Sequence, residues 1–270
     1  MITFAEPPVA PTSQESPIET LQKTVSASRL NCWLGCRLKF FFRYVQQIAK
    51  PKTASLHVGS VVHQILQAWN IGRWRKQQFQ LERFKQMFEG GWKDQPPGID
   101  WDGEEDDQRK TAWSVLEMYF ASTPIKSNEM PEAVEVPMES DLSEHGLPTL
   151  IGVLDLVRAG GRIVDFKTTG KTPNPEDVAH QNETQLSCYS VLYREATGQR
   201  ESGRELHHLV KTKTPKLVIT ELPAMTEAQQ SRLFRMIESY VEGVGREDFV
   251  PSPSFTCSGC EFYPECRSWC

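Results

Sequence analysis

The sequence predicts an α/β domain: a mixed central β-sheet flanked by helices, with a helical N-terminal part and a cysteine-rich C-terminus. Three observations predict it. Apolar residues recur at helical spacing through about residue 120. Strand-like alternation and a glycine-rich hairpin take over between about 133 and 168, and helix and strand signals alternate from there to about 244. Four of the seven cysteines fall in the last 14 residues.

The elements follow in order. Residues 1–24 are rich in Pro, Ser, Thr and Glu and lack a basic start and an apolar stretch, so they read as a disordered tail and not a signal peptide. Ser26 and Ser28 are helix caps before an apolar-periodic stretch from Leu30 to about Ile48. A second helix is expected from near Val58 to Trp74, with Val61, Ile65, Leu66 and Trp69 on one side. Helices near Phe79–Phe88 and Gln108–Phe120 flank a Pro/Gly/Asp-rich segment. Ala133–Met138 reads as a strand, and Leu150–Val157 with Arg162–Thr168 reads as a hairpin around Ala159-Gly160-Gly161. A helix from Glu176 to about Ala196 stops at Gly198, Leu206–Lys211 and Leu217–Leu222 form a strand pair, and a last helix runs from Thr226 to about Val244. The main domain is therefore expected over 25–250, with the cysteine-rich segment 251–270 packing against the first helix.

Composition narrows the class. Hydrophobic residues make up 39% and charged residues 24%, which suits a protein with a buried core. No apolar run approaches the roughly 18 residues that span a membrane, and the expected compartment is the cytoplasm. There, clustered thiols argue for metal and against disulfides. No phosphate-binding G-x-x-x-x-G-K-[ST] loop occurs, so the chain carries no motor ATPase. Net charge is −5, but Asn31–Lys85 holds ten Lys or Arg and one acid, Glu82, whereas Asp94–Asp107 holds seven acids. The acidic run reads as a solvated face. The basic segment carries Trp33, Phe40, Phe41, Phe42, Tyr44, Trp69 and Trp74, which suits either a single-strand groove or a core.

The chemistry concentrates in Gly152-Val-Leu-Asp155 and Ile163-Val-Asp165-Phe-Lys167. Residues two apart in a strand share a face, so Asp165 and Lys167 point the same way. Asp155 and Asp165 together suit Mg²⁺ or Mn²⁺, hard ions that take oxygen ligands. Such an ion polarises a phosphodiester oxygen and lowers the pKa of bound water, and Lys167 would position that water or stabilise charge on phosphorus. Geometry sets a condition. A two-residue turn at Gly160-Gly161 would set Asp155 opposite Phe166, on the wrong face, so convergence requires a register offset by one. An Asp–Lys pair on an exposed hairpin would by itself be unremarkable.

These motifs, taken in order, resemble the PD-(D/E)XK nuclease superfamily and within it the RecB-like and Cas4-like nucleases, over about Val25 to Cys266. Ser26-Ala-Ser-Arg-Leu through Cys36-Arg-Leu-Lys-Phe-Phe-Phe resembles the opening helix and first cluster cysteine, although Arg37 stands where relatives usually have proline. Gly59-Ser-Val-Val-His63 resembles the motif whose histidine binds metal. Gln185-Leu-Ser-Cys-Tyr189 resembles the Q-x-x-x-Y signature, and Glu135 a family acid preceding the hairpin, with Glu139 the competing choice. The resemblance implies a restriction-endonuclease-like core. It also implies catalytic roles for Asp155, Asp165, Lys167, Gln185, Tyr189 and Glu135, with metal on His63, Asp155 and Asp165. Read without it, His63 is a mid-helix histidine of the kind that usually sits in a core, and His57 has no role. Gln185 and Tyr189 stack on one helix face, where they would contact a DNA phosphate or orient Lys167 and its water.

Cys257-Ser-Gly-Cys260 followed by Cys266 is a strong metal signal. Spacing alone favours zinc, with Cys270 as the fourth thiolate of a local site. The resemblance implies instead a [4Fe–4S] cluster on Cys36, Cys257, Cys260 and Cys266, tying the first helix to the last residues. Cys32 and Cys188 read as buried small hydrophobes. The expected activity is a metal-dependent DNA exonuclease acting on ends or single strands in repair, recombination or phage/CRISPR-type processing. It would act on pre-unwound DNA or beside a helicase. The alternatives are a Cas4-like spacer-processing factor and a non-catalytic DNA-binding module on the same fold.

Overall fold

The computed structural model describes residues 16–269. Cys270, and with it the four-thiolate zinc alternative, lies outside the described residues, as does the tail before Ser16. Over residues 17–24 the first described elements correct the expected disordered tail. Ser16 caps helix α1 (Pro17–Lys23) in a reciprocal capping box with Glu19, and strand β1 (Thr24–Ser26) follows. The composition is that of a solvated segment, but Leu21 and Val25 are buried in the main core, and that docking orders the chain.

Helix α2 (Ala27–Gly35) ends at Cys36, and α3 (Arg37–Phe40) runs into a π-turn at Phe41–Val45, where one helix to Ile48 was expected. Helices α4 (Ala54–Trp74), α5 (Leu81–Lys93) and α6 (Glu105–Ser122) follow. Strands β2 (Ala133–Ser140), β3 (Thr149–Arg158) and β4 (Arg162–Thr169) lead to α7 (Pro175–Gln181) and α8 (Glu183–Thr197). The helix expected over 176–196 is broken at Asn182, which leaves helical geometry at φ −102° and ψ 5° while its backbone N–H and its side-chain amide both donate to the Val178 carbonyl. Strands β5 (Gly203–Val210) and β6 (Lys216–Leu222) precede α9 (Glu227–Gly245) and the short α10 (Tyr263–Ser268). Among the described residues no helix is long and apolar enough to cross a membrane.

The sheet is mixed, in the order β1-β3-β4-β5-β6 with β2 on the other edge of β3. Strand β2 pairs antiparallel with β3 along nearly its whole length. On the opposite edge β3 has two partners. Antiparallel β4 holds it only at Leu156–Arg158, and parallel β1 holds it only at Thr149–Ile151. Residues 152–155 have no ladder partner on that edge, so the sheet forks between β3 and β4. One core packs the sheet against α2, α8 and α9, and a second packs it against α4, α5 and α6.

The aromatics of the basic segment are mainly core. Trp33, Phe40, Phe42 and Trp69 are buried, and Trp33 meets Phe40, Tyr240 and Phe249 edge-on at centroid separations of 5.5–6.2 Å. Helix α9 approaches Trp33 so closely at Gly243 that a Cβ there would overlap the ring. Several of the bases are tied to the C-terminal segment. Arg37 pairs with Asp248, Lys39 and Arg43 with Glu261, and Lys50 with Glu265, while Phe42 packs on Phe262 at 5.8 Å. The groove reading of these residues therefore gives way to a core and a clamp. Being partly exposed, each ion pair contributes only about 0.2–1 kcal/mol.

Candidate active site and metal centre

The fork is where the chemistry gathers. The β3–β4 loop has three residues, Ala159, Gly160 and Gly161, so the ladder runs Arg158↔Arg162, Val157↔Ile163, Leu156↔Val164. Extended by one step, this register would face Asp155 to Asp165, the offset that convergence required, and the Asp165 charge does act on Asp155. Gly160 and Gly161 sit at φ 81° and 72°, a region open to glycine at little cost, and both amides donate to Glu132 Oε1 at 2.8 and 3.1 Å. At Asp155 the backbone ladder gives way to a side chain: the Phe166 N–H donates to Asp155 Oδ2 at 2.9 Å.

Strands β2 and β3 both turn over at this level. Leu156 packs on the α4–α6 side, yet Leu154 packs on the opposite side, although residues two apart in a regular strand share a face. Val134 and Met138 divide in the same way. Between them Glu135 adopts φ 47°, left-handed backbone that costs a non-glycine residue roughly 1–3 kcal/mol. The strain falls at the residue whose carboxylate is aimed into the fork.

Helix α4 brings a third donor side chain. Thr53 caps it, its apolar face packs on β4, and His63 lands edge-on to Phe166 with Nδ1 3.6 Å from Asp155 Oδ2. His63, Glu135 and Asp155 each offer an atom within 4.8 Å of the others. Asp165 is buried beside them and is held differently. Its Oδ2 is 2.8 Å from Lys167 Nζ, and its Oδ1 accepts from Gln185 Nε2 at 3.0 Å. Gln185 also accepts from Lys167 Nζ at 2.7 Å and donates to Tyr189 Oη at 2.8 Å. One amide thus fixes the lysine, the aspartate and the phenol. Of the two roles expected for Gln185, this geometry favours orienting Lys167.

The electrostatics fit a cation. Burial, and then the Asp165 charge, raise the Asp155 carboxyl above its usual range. Burial, followed by the Asp155 and Asp165 charges, pushes Glu135 up to about 7. Two carboxylates and an imidazole, short of positive charge, are a donor set for a divalent ion. Burial also raises the Tyr189 hydroxyl, so it works as a neutral hydrogen-bonding group. His57 is buried between Trp92 and Trp101 and takes no part. His208 went unread in the sequence. It pairs in register with Lys167 across β4 and β5, and its buried Nδ1 has no partner. Nothing local in a sequence says which strand will lie beside β4.

The carboxyl shifts give an expected result. Bound metal must displace the proton that Glu135 holds up to about pH 7, so Mn²⁺ affinity should fall by roughly tenfold per pH unit below 7 for each proton displaced. Constant affinity from pH 5.5 to 8, measured by calorimetry, would contradict this. Stability mirrors it. A folded-state pKa raised from 4.5 to about 7 imposes no penalty below pH 4.5 and its full penalty above 7. Metal-free Glu135→Gln should therefore match the wild type at pH 4.5. At pH 8 it should exceed it by about 1–2 kcal/mol, allowing for partial exposure.

At the far end, Cys36, Cys257, Cys260 and Cys266 line one cavity of about 100 Å³ with Leu38, Phe42 and Phe262. The Ser252 and Ser254 amides point at Cys36 Sγ and Cys257 Sγ, 3.5 and 3.3 Å away. Burial and then the other three thiols raise the Cys266 thiol. Cys188 is fully buried, with its thiol pushed up to about 12, as expected of a small hydrophobe.

A sequence model of the PD-(D/E)XK nuclease superfamily matches residues 24–267, nearly the whole described chain. This protein belongs to that superfamily, a class of nucleases that cleave phosphodiester bonds. Among solved structures it is similar to a candidate exonuclease from Eubacterium rectale, at 17% identity and a TM-score of 0.64, over 97% of this chain and 94% of that one. That likeness establishes the shared fold. A second structure, of SSO0001, is 13% identical over 93% and 91% of the two chains, with a TM-score of 0.40, too low to carry an argument. No functionally curated protein matches the sequence.

Proposed function

We propose that this protein is a Mg²⁺- or Mn²⁺-dependent DNA exonuclease of the RecB-like branch, acting on ends or single strands. The observation that carries the reading is the fork: His63, Glu135 and Asp155 within 4.8 Å at a gap in the sheet, beside Lys167 held by Asp165 and Gln185. When bound there by His63, Glu135, Asp155 and Asp165, a divalent ion supplies positive charge to a phosphate oxygen and acidifies water. The chain's own residues do the rest. Asp165 and Gln185 fix Lys167 Nζ on the cleft side of β4, where it orients water for attack on phosphorus and then faces the developing negative charge. Tyr189 holds Gln185 in place by accepting from its amide. Water adds across a P–O bond, and the departing oxygen takes a proton. The description of the Eubacterium rectale structure supports an exonuclease in particular. The RecB-like and Cas4-like assignment draws further support from the Gln185–Tyr189 contact and the four gathered cysteines.

The cysteine cavity supports a [4Fe–4S] cluster better than a single zinc ion. A tetrahedral zinc site with Zn–S near 2.3 Å sets its sulfurs about 3.8 Å apart. Among the described residues no three cysteine sulfurs lie within 4.8 Å of one another. A cluster there would join α2 and α3 to the C-terminal segment and add its binding energy to folding.

One preparation tests both halves. Anaerobically purified protein is expected to be brown, with iron and acid-labile sulfide. It should degrade 5′- and 3′-labelled single strands with Mn²⁺ and not with EDTA. Colourless protein holding zinc alone would overturn the cluster, and full-length product in every metal would overturn the nuclease. Because the chain holds no motor motif, the substrate in the cell is proposed to be DNA opened by a helicase or another processing partner.

A further inference from the structure

Strands β4 and β5 run parallel, and the chain leaves both at the same edge of the sheet. The two exits read alike. Lys167-Thr-Thr-Gly-Lys171-Thr-Pro carries the end of β4 into its loop, and Lys211-Thr-Lys213-Thr-Pro-Lys216 leads from β5 to the first residue of β6. Neither Asp nor Glu occurs from Phe166 to Pro175 or from Leu206 to Thr220. The loops are joined side by side, since the Lys211 N–H donates to the Thr169 carbonyl at 2.7 Å. Hydroxyl bonds close each turn, Thr169 with the Lys171 backbone at 3.1 and 3.2 Å and Thr212 with the Thr214 carbonyl at 2.7 Å. Lys171, Lys213 and Lys216 are exposed, and Lys211 is half-buried at the joint. None of the four forms an ion pair among the described residues, in contrast to Arg37, Lys39, Arg43 and Lys50 of the basic N-terminal segment. Burial lowers the Lys211 amino group, with no acid to offset it.

Unpaired ammonium groups gathered on acid-free loops repel one another and call for an anion. Their place says which one. They lie outside the carboxyl ends of parallel strands, where α/β sheets bind ligands. Thr169 is two residues beyond Lys167, about 6.6 Å along the strand, so the loops continue the line of the catalytic row.

Resting on the nuclease reading, we propose that the loops 168–173 and 211–216 form a cradle for the non-scissile phosphates of the substrate strand. Lys171, Lys211, Lys213 and Lys216 would neutralise successive phosphates while Lys167 serves the scissile one. The contacts are to backbone, so the cradle sets register and affinity without reading bases.

The test is equilibrium binding of fluorescein-labelled oligothymidylate to the full chain in EDTA over a salt series. Each single-strand phosphate neutralised steepens the plot of log K against log salt by about 0.7. The variant Lys171→Gln/Lys211→Gln/Lys213→Gln/Lys216→Gln should flatten the slope by roughly 2–3. Lys171→Gln/Lys213→Gln spares the half-buried Lys211, should retain the wild-type melting temperature, and should flatten the slope by about 1.4. The control is Arg75→Gln/Lys76→Gln/Arg83→Gln/Lys85→Gln, four cations elsewhere that form no ion pair among the described residues; it should keep the wild-type slope. With Mn²⁺, the loop variants should raise KM for the oligonucleotide at least tenfold, with kcat retained and turnover of thymidine p-nitrophenyl phosphate unchanged. A wild-type slope in the loop variants, or an equal flattening in the control, overturns the cradle. Binding needs no turnover, so it decides the cradle even if the wild type cleaves nothing, an outcome that would sink the nuclease reading alone.

Discussion

Lys167→Ala is expected to lower kcat on single-stranded DNA with Mn²⁺ by about 10³-fold, within the range for a positioned group that serves charge developing in the transition state. Its melting temperature should stay within a few degrees of the wild type, because Lys167 is partly exposed and its loss leaves Asp165 bonded to Gln185. Metal affinity should also survive, since Lys167 is no ligand and its removal takes a positive charge from the site. Gln185→Ala should fall between, at roughly 10-fold to 10²-fold, because it frees the lysine without deleting it. Loss of metal binding in Lys167→Ala would move the lysine from chemistry to ligand support. Unchanged turnover would remove it from the mechanism.

Arg158→Leu is the substitution expected to cost the fold most. Arg158 grips two carboxylates at once, with Nε and Nη2 on Glu129 at 2.9 Å and Nη1 on Glu205 at 3.0 and 3.1 Å. Glu205 is almost wholly buried and also receives Arg162 at 3.2 Å and His207 Nε2 at 2.8 Å. Removing the arginine leaves a buried charge short of a partner, which costs about 3–5 kcal/mol and roughly 6–15 °C in Tm. Arg158→Lys should lose about half as much, because an ammonium cannot bind both carboxylates in paired fashion. A Tm within 2 °C of the wild type for Arg158→Leu, by calorimetry, would show that Arg162 and His207 together satisfy Glu205. The network spans the closed end of the fork, so folded Arg158→Leu should retain kcat within a few-fold.

Much of the site was legible because its signals are local. The odd-length Ala159-Gly160-Gly161 loop allows the register that faces Asp155 to Asp165, and strand alternation put Lys167 beside Asp165. Helical spacing brought Gln185 within hydrogen-bond reach of Tyr189. Other features misled because composition does not distinguish environments. Phe40, Phe42 and Trp69 among basic residues suit a nucleic-acid groove and a core equally, and only the partners Glu261, Glu265 and Asp248 settle how those bases are used. Residues 16–24 look solvated until Leu21 and Val25 find the core.

By itself the sequence determined which side chains are available, the spacing that sets them on a face, and the glycines that permit the hairpin's turn. Tertiary structure alone decided the fork, since β1 lies over 120 residues from the edge of β3 that it shares with β4. It also decided that Glu135 strains its backbone to reach His63 and Asp155, and that two lysine-rich loops far apart in the chain meet beside Lys167. The physical reason is the same in each case. Local pattern sets the direction of a side chain, but which elements become neighbours depends on the burial of two whole cores, a property of the entire chain.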